Sequence, residues 1–207
     1  MFPDLARDDV FRLETARLWL RWPRASDAAA LHRFCSLWEV ARYTARIPHP
    51  YPPGSAERFI YAARDGNASG RDLTLVMTPK KGKRDAIGSI SLESRGSDRL
   101  TLGFVLAPEQ WRRGLTTEAT WATVRAGFEL TPAVEILANV RVENDASRHV
   151  LETCGFEIAS TGPKGAPARG GLVECHTFRL TRDAWAEGTE PWHSAFETAP
   201  IETGRPA

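Results

Sequence analysis

From Gln110 to Glu118 the chain reads Q-W-R-R-G-L-T-T-E, a run of residue types suited to holding an anion. Arg112 and Arg113 bring two rigid forks of donors matched to phosphate oxygens. Gly114 can take positive φ and lets a ligand approach the backbone closely. Leu115 begins the apolar content of a helix, Thr116 and Thr117 are capping types at its start, and Glu118 puts a carboxylate in the first turn. A helix start leaves about four N–H groups without intrahelical partners and carries roughly half a positive charge. The segment therefore predicts a local anion site, suited above all to phosphate. It is neither a P-loop nor a G-x-G-x-x-G dinucleotide turn, because neither spacing occurs here.

A second polar group lies downstream. Asn144, Asp145, Ala146 and Ser147 read as the capped start of a helix ending at Cys154-Gly155, and Ser147 falls three residues after Asn144 on nearly the same helical face. Glu93, Glu174 and His176 are the remaining candidates for moving a proton.

The elements that position these groups follow from periodicity. Leu100, Leu102, Phe104 and Leu106 alternate with Thr101, Gly103 and Val105, the two-residue period of a strand, and Pro108 stops it. The helix that follows spans about Thr116 to Glu129, packs through Ala119, Ala122, Val124, Ala126 and Phe128, and ends at Thr131-Pro132. Upstream, Arg17–Pro23, Asp72–Thr78 and Ala86–Ser94 read as strands, and helices are expected at Ser26–Phe34, Leu37–Tyr43 and Ser55–Ala63. Downstream, Glu135–Val142, Phe156–Ser160 and Leu172–Leu180 are strands.

Two stretches read as loops. Ile47–Gly54 is proline-rich, with His49 and Tyr51 as acceptor-contact candidates, and Thr161–Gly171 reads as the most flexible internal stretch. Lys80, Lys81, Lys83 and Arg84 form a basic hairpin loop expected to be solvated. Strands interleaved with helices predict an α/β (α+β) fold on a mixed, mostly antiparallel sheet.

The chain has 207 residues and 42% hydrophobic content, enough for one packed core. We expect a single domain over residues 1–187 and a loosely ordered C-terminal tail over 188–207, in which Trp192 and Phe196 suggest a docking segment. Lys and Arg number 27 against 26 Asp and Glu, a net charge of +1 that supplies no global attraction to nucleic acid or an anionic membrane. Three cysteines without C-x-x-C spacing argue against a disulfide framework or a zinc knuckle and fit a cytoplasmic protein.

W-R-R-G-L-T-T-E-A resembles the pyrophosphate-binding turn of the GNAT superfamily of N-acetyltransferases, and most closely the RimJ/RimL-like branch that acetylates ribosomal-protein N-termini. Trp111 stands where Gln or Arg is usual in the superfamily, and Thr116 where Gly or Ala is usual. V-E-N-D-A-S-R-H-V-L-E-T-C-G-F resembles the family's second cofactor motif, and Thr15, Arg17, Leu18, Leu20 and Arg21 resemble the branch's T-x-R-L-x-L-R opening. The likeness covers about Thr15 to Trp185.

The resemblance implies an acetyl-CoA-dependent N-acetyltransferase using coenzyme A as co-substrate, acting as a monomer or homodimer. It places the pyrophosphate on Arg112, Arg113, Gly114, Leu115, Thr116 and Thr117, with Asn144 nearby. It places pantetheine and thioester along Phe104, Val105 and Leu106, where the family has a strand bulge. The family's usual tyrosine acid falls on Leu151 here, so the branch's serine, matching Ser147, is the implied acid. Glu174 ranks first as base, ahead of Glu93 and His176. No cysteine falls in the turn or the bulge, which favours direct attack by the amine over a covalent intermediate. The alternative is a GNAT-like module that binds CoA for regulation with little transfer; a small-molecule acetyltransferase is the enzymatic variant.

Overall fold

The computed structural model describes residues 1–96 and 98–187. Its architecture follows from alternating apolar strands that must bury one face. They form one sheet of eight strands in the order β1-β2-β3-β4-β5-β6-β8-β7. These are β1 (Arg12–Glu14), β2 (Leu18–Arg21), β3 (Asp72–Pro79), β4 (Gly88–Ser94), β5 (Arg99–Leu106), β6 (Glu135–Arg141), β7 (Glu157–Ala166) and β8 (Gly171–Thr181). All neighbours pair antiparallel except β5 and β6, which run parallel through the crossover helix between them. The mixed sheet and the antiparallel meander before the crossover are as expected.

The helices are α1 (Ala28–Cys35), α2 (Trp38–Ala41), α3 (Ser55–Ala68), α4 (Leu115–Leu130), α5 (Asp145–Thr153) and α6 (Arg182–Glu187). The crossover helix α4 lies close on the sheet because Gly127 has no side chain. A Cβ there would meet Leu92 Cδ1 at 2.8 Å and Leu100 Cδ1 at 3.3 Å. Leu92, Leu100, Leu102, Ala119, Val124, Phe128, Ile136 and Phe178 form the centre of the main core on this side. The opposite face is covered by a smaller cluster including Leu31, Phe34, Val40 and Ile60 from α1, α2 and α3.

Four sequence expectations need correction. Thr161–Gly171 is not a flexible loop: most of it is strand β7, which pairs from Glu157↔Arg179 to Ala166↔Gly171 with one irregularity at Ile158/Ser160. Glycine and proline lowered the apparent strand propensity, but an edge strand needs ladder bonds on only one side. Strand β1, which the sequence analysis did not assign, adds the far edge, pairing Leu13 with Leu20. Helix α2 is a single turn, and α3 runs five residues beyond the expected Ala63, to Ala68. Finally, β5 contains no bulge against β4, since the register runs unbroken from Gly88↔Leu106 to Ser94↔Leu100. The expected tail, with Trp192 and Phe196, lies outside the described residues.

Candidate active site

In place of a bulge, the sheet opens. β5 and β6 pair only from Arg99↔Glu135 to Leu102↔Ala138. Beyond that point, Gly103–Leu106 pair with β4 alone and Asn139–Arg141 with β8 alone. The Ala107 N–H bonds the Ile87 carbonyl, so odd-numbered residues of β5 turn their backbone groups toward β4 and even-numbered residues turn theirs toward β6. The N–H of Phe104 therefore points into the opening, past the last pair of the parallel ladder.

A turn closes the end of this opening. Trp111 donates its indole N–H to the Leu106 carbonyl at 2.8 Å, which folds the turn back on its strand. Arg112 has φ +59° and Gly114 φ +70°, so left-handed residues flank Arg113 and aim successive N–H groups to one side. Gly114 is the N-cap of α4 and contributes no side-chain bond, leaving the first N–H groups of the helix uncapped. The Thr116 hydroxyl has no hydrogen-bond partner among the described residues and lines the same groove. A concave set of N–H groups, one free hydroxyl and two guanidinium groups fits a phosphate-bearing ligand.

The turn is held from behind by residues that the sequence reading did not assign. Glu118 is buried and accepts from Thr15 Oγ1 at 2.5 Å, from the Arg17 N–H at 2.7 Å and from Arg17 Nε at 2.5 Å. Arg17 also donates to the Arg113 carbonyl at 2.8 Å. The T-x-R opening and the E of T-T-E-A are thus two halves of one clamp. The signal was the pairing of two charged residues with apolar surroundings, invisible without the fold because 101 residues separate them.

Asn144 and Ser147 meet as their spacing predicts. Asn144 Oδ1 accepts from the Ser147 N–H at 3.2 Å, the capping bond of α5, and Asn144 Nδ2 donates to Ser147 Oγ at 2.9 Å. The acceptor side of the Ser147 hydroxyl is thereby occupied, and its proton is free to point into the groove. Leu151, at the family's tyrosine position, is fully buried in the core.

These parts line one groove of about 1600 Å³, to which Phe104, Val105, Leu106, Arg112–Thr117, Asn144 and Ser147 all contribute. Of the candidate bases only Glu93 is there. From β8 the lining residues are Val173 and Cys175; Glu174 alternates to the other side and is exposed. Glu174, ranked first as base, therefore does not line the groove. His176, also absent from the lining, shares a hydrogen bond with Thr161 Oγ1 through Nδ1 at 2.8 Å. Glu93 sits on the floor opposite α4, with one oxygen bonded by Arg46 and the other by Arg95 at 3.0 Å.

The Thr161–Gly171 stretch and the segment leading into the proline-rich Ile47–Gly54 join each other. Arg169, beyond β7, donates to the carbonyls of Thr44 and Ile47, and the Ala168 N–H bonds the Ala45 carbonyl at 3.0 Å. Tyr51 lines the groove with its hydroxyl pushed up to about 12, chiefly by burial; His49 lies outside it, its ring 5.2 Å from that of Trp38. Burial also raises the thiols: Cys35 to about 12, with Cys154 and Cys175 raised as well. Among the described residues no cluster of His, Cys, Asp and Glu is placed to hold a metal, and no helix is long and apolar enough to cross a membrane.

Residues 17–157 match the Acetyltransferase (GNAT) domain family. The chain belongs to the GNAT acetyltransferase family. It is 25% identical to the uncharacterized N-acetyltransferase p20 of Bacillus licheniformis, covering 84% of this chain and 98% of that one. RimJ of Mycobacterium smegmatis, solved in complex with CoA-disulfide, superposes with a TM-score of 0.75 at 20% identity, covering 88% of this chain and 90% of that one. Spermidine N-acetyltransferase of Vibrio cholerae, solved with CoA and spermine, gives 0.68 at 17% identity, covering 82% and 98%. The eight-stranded sheet with its open β5–β6 ladder is the GNAT fold, and this GNAT chain is an N-acetyltransferase that uses acetyl-CoA as co-substrate.

Proposed function

We propose that this GNAT enzyme transfers acetyl from acetyl-CoA to a primary amine by direct attack within a ternary complex, in the groove between β5 and β6. Acetyl-CoA supplies the acyl group as a thioester. Arg112, Arg113, Gly114, Leu115, Thr116 and Thr117 receive its pyrophosphate, and Phe104, Val105 and Leu106 line its pantetheine arm. The Phe104 N–H donates to the thioester oxygen as that oxygen gains charge, a preorganised contact that costs no rearrangement.

Ser147 donates a proton to the departing sulfur, and Asn144 fixes the direction of that hydroxyl. A thiol near 8.5 is a fair leaving group, so a weak acid suffices. The amine must arrive neutral. An α-amino group, near 7.7–8.0, meets that demand more easily than a lysine near 10.4, which favours a protein or peptide N-terminus as acceptor. Of the candidate bases, Glu93 is the one that lines the groove, which supports it over Glu174 as the acceptor of the amine's proton. The buried, protonated thiols of Cys35 and Cys154 favour direct transfer over an acetyl-cysteine intermediate. The three buried cysteines also fit a reducing, cytoplasmic setting.

The observation that carries the reading is the Phe104 N–H facing an open ladder that ends at an uncapped helix N-terminus. The test is initial-rate kinetics with acetyl-CoA and a peptide amine. Intersecting double-reciprocal lines support a ternary complex. Parallel lines would indicate a covalent acetyl-enzyme, and absence of turnover with every amine would leave a CoA-binding regulatory module.

A further inference from the structure

The charge of the groove differs from that of the chain. Nine arginine or lysine side chains line it against five carboxylates, whereas the whole chain is almost neutral, so the excess is local. Arg112 and Arg113 belong to the phosphate turn. Helices α2 and α3, the loops beside them and the β3–β5 floor contribute Arg42, Arg46, Arg58, Arg71 and Arg95.

Three of these five are neutralised. Arg46 and Arg95 both bond Glu93, and Arg71 bonds Asp72 at 2.9 Å. Arg42 and Arg58 have no carboxylate partner among the described residues. Arg42 lies over the Tyr43 ring at 4.4 Å, and Arg58 donates only to Ser55 Oγ at 2.7 Å. Part of the groove's floor is polar. Ser89, Ser91 and Thr101 point there from the face opposite α4, and among the described residues none of the three hydroxyls has a hydrogen-bond partner.

We propose that the acceptor is a primary amine carrying a nearby anionic group, a carboxylate or phosphate, which Arg42 and Arg58 receive while Ser89, Ser91 and Thr101 bond its polar backbone. This rests on the acetyltransferase reading given above. Two uncompensated guanidinium groups facing a groove raise the local concentration of anions and repel polycations. The same feature selects against polyamines and aminoglycosides: of the five carboxylates lining the groove, Glu39 and Asp145 alone have no ion pair among the described residues.

The test is a panel of acceptors at fixed saturating acetyl-CoA. It includes peptides beginning Ser-Asp-Glu, Ser-Ala-Gln and Ser-Lys-Arg, a small amino-carboxylate, an amino-alkyl phosphate and spermidine. Expected is a kcat/KM at least about tenfold higher for the anionic acceptors than for the neutral peptide, with spermidine lowest. The peptide and small-molecule arms separate the two sources of the same chemistry. The advantage should fall toward unity as salt rises from 20 to 500 mM, a readout that needs no variant. In Arg42→Gln/Arg58→Gln the KM for the acidic acceptor should rise about tenfold while the affinity for acetyl-CoA, measured calorimetrically, stays within about twofold.

Equal or better turnover of neutral or polycationic acceptors would overturn the anionic preference and leave the acetyltransferase reading standing. No turnover of any acceptor would remove both.

Discussion

Arg17 and Glu118 meet across 101 residues of sequence at 2.5 Å, with the carboxylate buried and the guanidinium reaching on to the Arg113 carbonyl at 2.8 Å. The edge of the sheet is thus bonded to the turn proposed to carry the pyrophosphate. An isolated turn with two left-handed residues would sample many shapes; this one is fixed from behind, so its N–H groups are arranged before a ligand arrives.

Arg17→Ala should therefore do two things. It leaves a buried carboxylate with only Thr15 and a backbone N–H. Because the Arg17 side chain is 49% exposed, the loss is set below that of a fully buried pair, at about 2–3 kcal/mol of folding stability. It also frees the Arg113 carbonyl, and the Kd for acetyl-CoA should rise about tenfold. Denaturant unfolding and calorimetry on the same preparation separate the two effects. A loss of stability with unchanged Kd would reduce the clamp to a purely structural pair.

Ser147 and Asn144 should behave differently although they touch. Ser147→Ala removes the donor and keeps the cap, since the capping bond uses the Ser147 backbone N–H. It should lower kcat by about a hundredfold with little change in stability or KM. Asn144→Ala removes the cap, at about 1 kcal/mol of stability, and also releases the Ser147 hydroxyl, so kcat falls in parallel. Equal kcat for Ser147→Ala and wild type would assign the thiolate's proton to solvent.

The thiols give a pH-dependent outcome. Cys35 is raised from 9.0 to about 12 by burial, so the folded state favours the neutral thiol over the unfolded state. That contribution is complete below about pH 9 and is lost progressively as pH rises toward about 12. Unfolding midpoints should be insensitive to this group between pH 7 and 8.5 and fall above pH 9. At pH 7.5 the native enzyme should resist alkylation at Cys35 and Cys154, and its mass should not change on incubation with acetyl-CoA alone. A mass gain of one acetyl group would support a covalent intermediate.

The parts legible in the sequence were those whose information is local. The strand into β5, the glycine turn and the capped start of α5 each depend on residues within one or two turns, and the structure has all three where expected. Long-range features escaped. Glu118 read as a dipole partner for its own helix, yet its carboxylate is consumed by Thr15 and Arg17. The opening at Phe104 was read as a bulge, but the break lies between β5 and β6, and a parallel ladder's end has no signature in either strand alone. Glu174 lies on β8 as expected but is exposed and absent from the groove, because successive side chains of a strand alternate between its two faces. Glycines and prolines in β7 disguised an edge strand as a loop, although the tie through Arg169 makes it one wall with the Thr44–Ile47 segment.

The measurement that bears most directly on the central claim is calorimetric titration of acetyl-CoA into the wild type and into Gly114→Glu. Gly114 has φ +70°, and glutamate there adds both backbone strain and a negative charge to the phosphate turn. The account predicts a single site with a Kd on the order of micromolar in the wild type. It also predicts loss of measurable binding in a variant that still unfolds cooperatively. No binding by the wild type, or undiminished binding by the folded variant, would contradict it.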